Sequence, residues 1–257
     1  WPPWAAAGRA LGLPIQHIFA PDYTLPQAAL HTPHSTILVV GGGITAAQVS
    51  LQLAEQTPGA VTLLMRHPIR EHQLDSDPGW LGPKYQNGLH KTADYAQRRQ
   101  MIQAARHRGS MPPEVVRQVR RAQKAGQLWV REGEVTAVVP MLKNGRIELV
   151  CRGGRHIWAE QVVLATGFDP VRPGGAWLDE AIAANGLPVA PCGFPIVDKT
   201  LCWAPGLYVS GALAELEMGP IAANIAGARQ AMRRLAAASV HASDRSSGVA
   251  RRRSQAI

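Results

Sequence analysis

Cysteine is scarce in this sequence. The three present, Cys151, Cys192 and Cys202 among 257 residues, are odd in number and lack CxxC spacing. That argues against a disulfide framework or a cysteine zinc site and fits a reducing compartment, the cytoplasm. No stretch approaches the ~20 uninterrupted apolar residues that a membrane span needs. Acidic residues are the minority, 18 Asp+Glu against 27 Lys+Arg, for a formal net charge of +9. Aromatic residues are only 5% and do not interleave with the basic runs, so the charge does not read as a nucleic-acid face. The motifs HExxH, GxSxG and the P-loop are all missing. His31 and His34 flank Pro33 with no third ligand nearby, which makes a metal site an unfavoured reading. The chain opens on Trp1-Pro2-Pro3-Trp4 with no charged n-region and apolar h-region behind it. It is expected to be a piece of a longer chain, not one led by a signal peptide.

What is present suffices for a core: 46% hydrophobic and 18% charged residues, enough for one large domain or two modest ones. Residues 1–34, rich in Pro and Ala, read as an irregular lead-in. Thr36–Val40 is a short apolar, β-branched run suited to a strand buried on both faces. A helix is expected over Ile44–Gln56, stopped by Pro58-Gly59, and a second buried strand over Val61–Met65. Together these make a βαβ unit. Arg66–Leu89 reads as a long irregular loop. Helices are expected over Ala93–Arg108 and Pro113–Ala125, with the run Arg98-Arg99 to Arg106-His107-Arg108 as a solvated face. Short strands follow near Leu128–Arg131, Glu134–Val139, Arg146–Cys151 and His156–Trp158, with turns at Asn144-Gly145 and Gly153-Gly154. Gln161–Ala165 is again a buried strand, Ala176–Asn185 a helix, Leu207–Gly211 a strand and Pro220–Ala238 one long helix. Arg245–Ile257 carries four arginines and no acid and reads as a disordered basic tail.

Gly41-x-Gly43-x-x-Ala46 between the first strand and first helix fits the dinucleotide-binding fingerprint ending in alanine. Gly41 permits the tight turn, Gly43 lets the backbone approach a pyrophosphate, and Ala46 allows close helix–strand packing. The N–H groups that open the helix at Ile44 and Thr45 would face the phosphates. At the end of the second strand, where an NAD site places a carboxylate, this chain has Arg66, 25 residues after Gly41. A guanidinium there suits a 2′-phosphate and favours NADP(H) over NAD. The competing reading is a surface charge in a basic loop.

Further on, Gln161–Leu164 runs into Ala165-Thr166-Gly167. Gly206-Leu207-Tyr208-Val209-Ser210-Gly211 is followed by Gly219-Pro220-x-x-x-Asn224-Ile225-x-Gly227-Ala228-Arg229. With the glycine turn, these strings make the chain resemble the FAD- and NADP-dependent flavoprotein oxidoreductases, nearest the flavin monooxygenases of the N-hydroxylating type. The resemblance covers roughly Ser35 to Leu235. Such proteins carry two glycine fingerprints, and the one here is similar to the second, NADP-binding one.

The resemblance implies an α/β, Rossmann-type fold with two dinucleotide-binding domains. The NAD(P)-binding domain would be complete over 35–165, and the FAD-binding domain incomplete over 166–240, with 1–34 as a linker and 241–257 as the tail. It implies FAD and NADP(H) as cofactors, contacted by Gly41, Gly43, Ile44, Thr45, Ala46, Arg66, Ala165, Thr166, Gly167, Gly211, Gly219 and Pro220. Gly219-Pro220 would open a helix whose positive end faces the flavin. The implied chemistry is hydride transfer from NADPH to flavin, followed by oxygen chemistry on a small nucleophilic substrate. The alternative is an inert NADP-binding remnant. No catalytic acid or base stands out. The loop from Asp75 to Tyr85 is the best candidate for lining the nicotinamide or substrate region, with a packed surface loop as the other reading. No nucleic-acid or membrane partner is expected.

Overall fold

The computed structural model describes residues 1–26, 36–143 and 146–238. Its helices are α1 (Pro3–Ala10), α2 (Ile44–Gln56), α3 (Pro83–Lys91), α4 (Tyr95–Ala105), α5 (Pro113–Lys124), α6 (Gly175–Asn185), α7 (Glu215–Met218) and α8 (225–238). The strands are β1 (Ile15–His17), β2 (Ile37–Val40), β3 (Val61–Met65), β4 (Arg70–Glu71), β5 (Ser110–Met111), β6 (Leu128–Glu132), β7 (Val135–Lys143), β8 (Arg146–Cys151), β9 (His156–Ala159), β10 (Gln161–Leu164), β11 (Cys202–Ala204) and β12 (Leu207–Tyr208). The chain forms two compact units, Trp1–Asp75 with His107–Asp169, and Ser76–Arg106 with everything from Pro170 onward. The fold is α/β with a parallel sheet.

The first unit is built on a five-stranded, all-parallel sheet in the order β1-β10-β2-β3-β6. Its strands are apolar on both faces because both are covered. Ile37, Val39, Leu63 and Val163 point to the face covered by α2 and α5, where they meet Ala46, Leu53, Val116 and Val119. Leu38, Leu64, Val162 and Leu164 point to the other face, against α1 and the antiparallel meander β7-β8-β9. The period-two alternation of these short strands thus feeds two separate cores.

The expected βαβ unit has the expected bounds for α2 and β3, and α5 starts at Pro113, where a missing N–H is tolerated. Gly153 and Gly154, at φ +83° and +76°, turn the chain between β8 and β9. The lead-in departs from expectation, because α1 and β1 lie within it. The alanine-rich run from Pro3 has high helix propensity, and three-residue β1 is too short to show a period and gains its partner only from β10. The stretch after Arg66 is also more ordered than expected. It contains β4, a 3-10 turn over Pro78–Leu81 and α3. His31, His34, the Asn144-Gly145 turn and the basic tail lie outside the described residues.

In the second unit, Asp94 caps α4 by accepting the Ala96 N–H at 2.8 Å. Two expectations fail here. The strand before Gly211 is confined to Leu207–Tyr208, paired with β11. The long helix from Pro220 is broken: Gly219–Ala223 is a 3-10 turn, Asn224 is extended, and its Oδ1 accepts the Gly227 N–H at 2.9 Å to start α8.

Among the described residues no helix is long and apolar enough to cross a membrane, and no group of three or more His, Cys, Asp or Glu could hold a metal. All three cysteines are free thiols.

Candidate functional site

The carboxyl ends of the parallel strands lie in one row. Register pairs His17 with Leu164, Leu164 with Val40, Val40 with Leu64 and Leu64 with Arg131. From β2 the chain crosses to β3 on one side, while β10 joins on the other. The crevice between β2 and β10 is therefore the topological switch point, where open α/β sheets bind ligands. The glycine turn and the Ala165-Thr166-Gly167 segment leave the sheet on either side of it.

The two fingerprint glycines are glycine for different reasons. A Cβ on Gly41 would stand 2.3 Å from the Ala165 carbonyl oxygen and 2.9 Å from the Ala46 Cβ. Gly41 is thus required by the protein's own packing, and Ala46, fully buried, is small for the same reason. A Cβ on Gly43 would meet nothing closer than 3.9 Å. Internal packing therefore does not demand glycine there, and space is left for a ligand against the backbone. Gly43 is also the N-cap of α2, with no side-chain cap and no acid in the first turn. The N–H groups opening α2, at Ile44 and Thr45, belong to the set that a helix leaves without internal partners, and they carry its positive end.

Arg66 follows β3 directly and is exposed. His67, next along the chain, belongs to the same bend after β3. Its ring packs against the glycine turn, 3.1 Å from where a Gly42 Cβ would be and 2.6 Å from a Gly109 Cβ, and its Nδ1 lies 2.8 Å from the Pro68 carbonyl. Beside it, a cleft of about 530 Å³ is lined by Met65, Ile69 and Val130, by Arg120, Arg131 and Arg155, and by the acidic Glu132. A cleft of mixed polarity with cationic side chains from α5, β6 and the β8–β9 turn has room for a phosphorylated base, with Glu132 as the one carboxylate in its lining.

On the other side of the switch point, Ala165 is buried while Thr166 and Gly167 are exposed, Gly167 with φ +79°. His17 is buried at the end of β1. Its Nδ1 accepts the Phe19 N–H at 3.2 Å. Gly41, Gly43, Ile44, Thr45, Ala46, Arg66, Ala165, Thr166 and Gly167 are therefore all carried by one edge of the first unit.

Gly211, Gly219 and Pro220 belong to the second unit, where packing accounts for most of their surroundings. Gly211, at φ +63°, opens a 3-10 turn. Gly219, at φ +73°, lies under the Trp80 ring, with a Cβ placed 3.1 Å from Cε3, and Pro220 is buried beside it. Gln86 holds this segment by donating from Nε2 to the Met218 carbonyl at 2.8 Å and the Trp80 carbonyl at 3.1 Å. A Cβ on Gly227 would stand 1.9 Å from the Ile221 carbonyl oxygen. Gly219, Asn224 and Gly227 thus each have a structural duty. The loop through Trp80 and Tyr85 packs into this unit's core.

The basic run on α4 is not a solvated face. Glu215, 3% exposed, pairs with Arg99 and with Arg106 at 3.0 Å; Glu217 meets Arg234 at 3.2 Å, His90 at 3.3 Å and Arg98 at 3.8 Å. Two acids in the apolar run Ala212–Ala223 were the available signal, since buried carboxylates require buried cations.

No protein-family model and no curated protein matches the chain. Solved structures do, and the similar folds are flavin-dependent N-hydroxylating monooxygenases. The FAD-bound cadaverine monooxygenase of desferrioxamine biosynthesis from Erwinia amylovora is 16% identical with a TM-score of 0.58, over 78% of this chain and 51% of that one. The ornithine N-hydroxylase of Kutzneria sp. 744, solved with reduced FAD, NADP+ and L-ornithine, is 18% identical with a TM-score of 0.54, over 77% and 52%. The ornithine hydroxylase of Pseudomonas aeruginosa is 15% identical with a TM-score of 0.54, over 77% and 51%. At these identities the likeness is one of fold. The chain spans about half the length of the solved structures it matches.

Proposed function

We propose that the first unit is the NADP(H)-binding domain of a flavin-dependent oxidoreductase, monooxygenase-like in its chemistry and acting on a small nucleophilic substrate. The second unit would hold part of its FAD-binding domain. The observation that carries the reading is the contrast between Gly41 and Gly43: the protein needs the first glycine for itself and leaves the second free for a ligand. Gly43, Ile44 and Thr45 would hold the pyrophosphate at the positive end of α2. Arg66 would pair with the 2′-phosphate, and Ala165, Thr166 and Gly167 would border the far side of the crevice. Bound there, the dinucleotide supplies a hydride at its nicotinamide ring. The described residues of the second unit show no comparable cradle, since Trp80 fills the space over Gly219. FAD therefore enters the reading through the sequence resemblance and the fold neighbours, not through a cradle among these residues.

The test is equilibrium binding of NADPH and NADH to the chain and to Arg66→Glu. The unsubstituted chain should prefer NADPH, and R66E should reduce that preference by about tenfold or more, as loss of a charge-assisted pair does. Binding of neither dinucleotide, or an unchanged preference in R66E, would refute the assignment.

A further inference from the structure

Phe19 and Phe168 are 51% and 77% exposed, yet they are stacked on each other with ring centroids 4.9 Å apart and planes at 25°. They come from different places, Phe19 from the turn after β1 and Phe168 from the segment after Gly167. His17 stands between the two: it is paired in register with Leu164 on β10, its Nδ1 accepts the Phe19 N–H, and its ring lies 5.9 Å from that of Phe19. The first unit's own cores make no use of this π surface. Its position in the row of strand ends is informative. Arg66 follows β3, one strand from the glycine turn that follows β2. The aromatic pair leaves β10 and β1, one and two strands away on the opposite side, or about 5–10 Å along the edge. Cation, phosphate cradle and exposed aromatic surface therefore follow one another in the order of 2′-phosphate, pyrophosphate and second base of an NADP molecule lying across the switch point.

We propose that the Phe19–Phe168 pair is the stacking platform for the nicotinamide ring, so that the dinucleotide lies with its adenosine toward β3 and its nicotinamide toward β1. This rests on the NADP(H) reading of the glycine turn. It accounts for two large aromatic side chains being left in water at a strand end, and flat rings stack favourably on such a surface.

The experiment compares two probes, NADPH and 2′,5′-ADP. The second carries the adenosine, the 2′-phosphate and a 5′-phosphate but no nicotinamide. Phe168→Ala should weaken NADPH binding by about tenfold, the value typical of lost ring stacking, and leave 2′,5′-ADP binding unchanged. Phe168→Tyr, which retains the ring, should bind both probes like the unsubstituted chain. Far-UV circular dichroism would show that the exposed substitution leaves the fold intact. The platform is overturned if F168A leaves NADPH binding unaltered, weakens both probes equally, or changes only the oligomeric state. Equal affinity of the unsubstituted chain for the two probes would also overturn it, while leaving the NADP(H) reading standing. Binding of neither probe would remove that reading and the platform with it.

Discussion

Gly41 and Ala165 are packed backbone to backbone: a single carbon added at Gly41 would come within 2.3 Å of the Ala165 carbonyl oxygen. That oxygen belongs to the segment leaving β10, and the Ala165 N–H is already committed to the Val40 carbonyl at 2.9 Å. Neither strand end can move without breaking the ladder. Gly41→Ala should therefore destabilise the first unit by about 2 kcal/mol or more, as overpacking against a fixed neighbour does. Gly43→Ala should leave stability within about 0.5 kcal/mol, because its Cβ would meet Gly109 and Ser110 at 3.9 Å, ordinary van der Waals contact. It should nonetheless lose most NADPH binding. Urea unfolding and dinucleotide titration on the same two variants separate the structural glycine from the ligand-facing one. Equal destabilisation would contradict the assignment.

The second unit depends on a buried carboxylate. Glu215 sits among Arg99 and Arg106 with almost no solvent. Glu215→Gln removes the countercharge and leaves the buried Arg99 and the half-buried Arg106 facing a neutral amide, at a cost of about 3 kcal/mol. The pair between Glu134 and Arg152 is as close, at 2.9 Å, but its side chains are 38% and 74% exposed. Glu134→Gln should change stability by less than about 1 kcal/mol. Denaturant midpoints for the two variants would decide the matter, and a harmless E215Q would show that the cluster carries little.

Burial, and then the positive charge of the chain's amino terminus, push the His17 imidazole below its ordinary 6.5, against an opposing contribution from the Gly167 backbone. As pH falls below that value, the unfolded chain takes up a proton at this position before the folded chain does. The His17 contribution is thus fully present above about pH 6.5 and is lost progressively on acidification, down to the folded pKa. His17→Gln should flatten the stability profile of the first unit as pH falls below about 6.5. Parallel profiles for the two proteins would show that the imidazole is not the titrating group.

Legibility followed the range over which each feature is determined. The β2–α2–β3 unit was readable because its signals are local: a continuous apolar run, glycines at a fixed spacing, a helical period ended by Pro58-Gly59. Arg66 was readable for the same reason, since its place depends only on where β3 stops. β1 was not, because three residues carry no period and its identity as a strand comes from pairing with β10, more than a hundred residues away. Arg98 and Arg99 looked like a solvated face because charge on a helix usually is one. Their burial is set by Glu215 and Glu217, far along the chain. The Gly219-Pro220 string was legible as a signature, but what its residues do was not. Trp80 and Gln86 decide that, and nothing local to Gly219 announces them.

Sequence by itself thus determined the layers of the first unit, the dinucleotide fingerprint and the cation placed after its second strand, because short-range sterics and hydrophobic periodicity suffice for those. Tertiary structure alone decided which glycine packing requires and at which one packing leaves room for a side chain. It also buried the α4 arginines on two carboxylates and brought Phe19 and Phe168 together at the sheet edge. These depend on contacts between segments far apart in the chain, where only the folded backbone sets the distance.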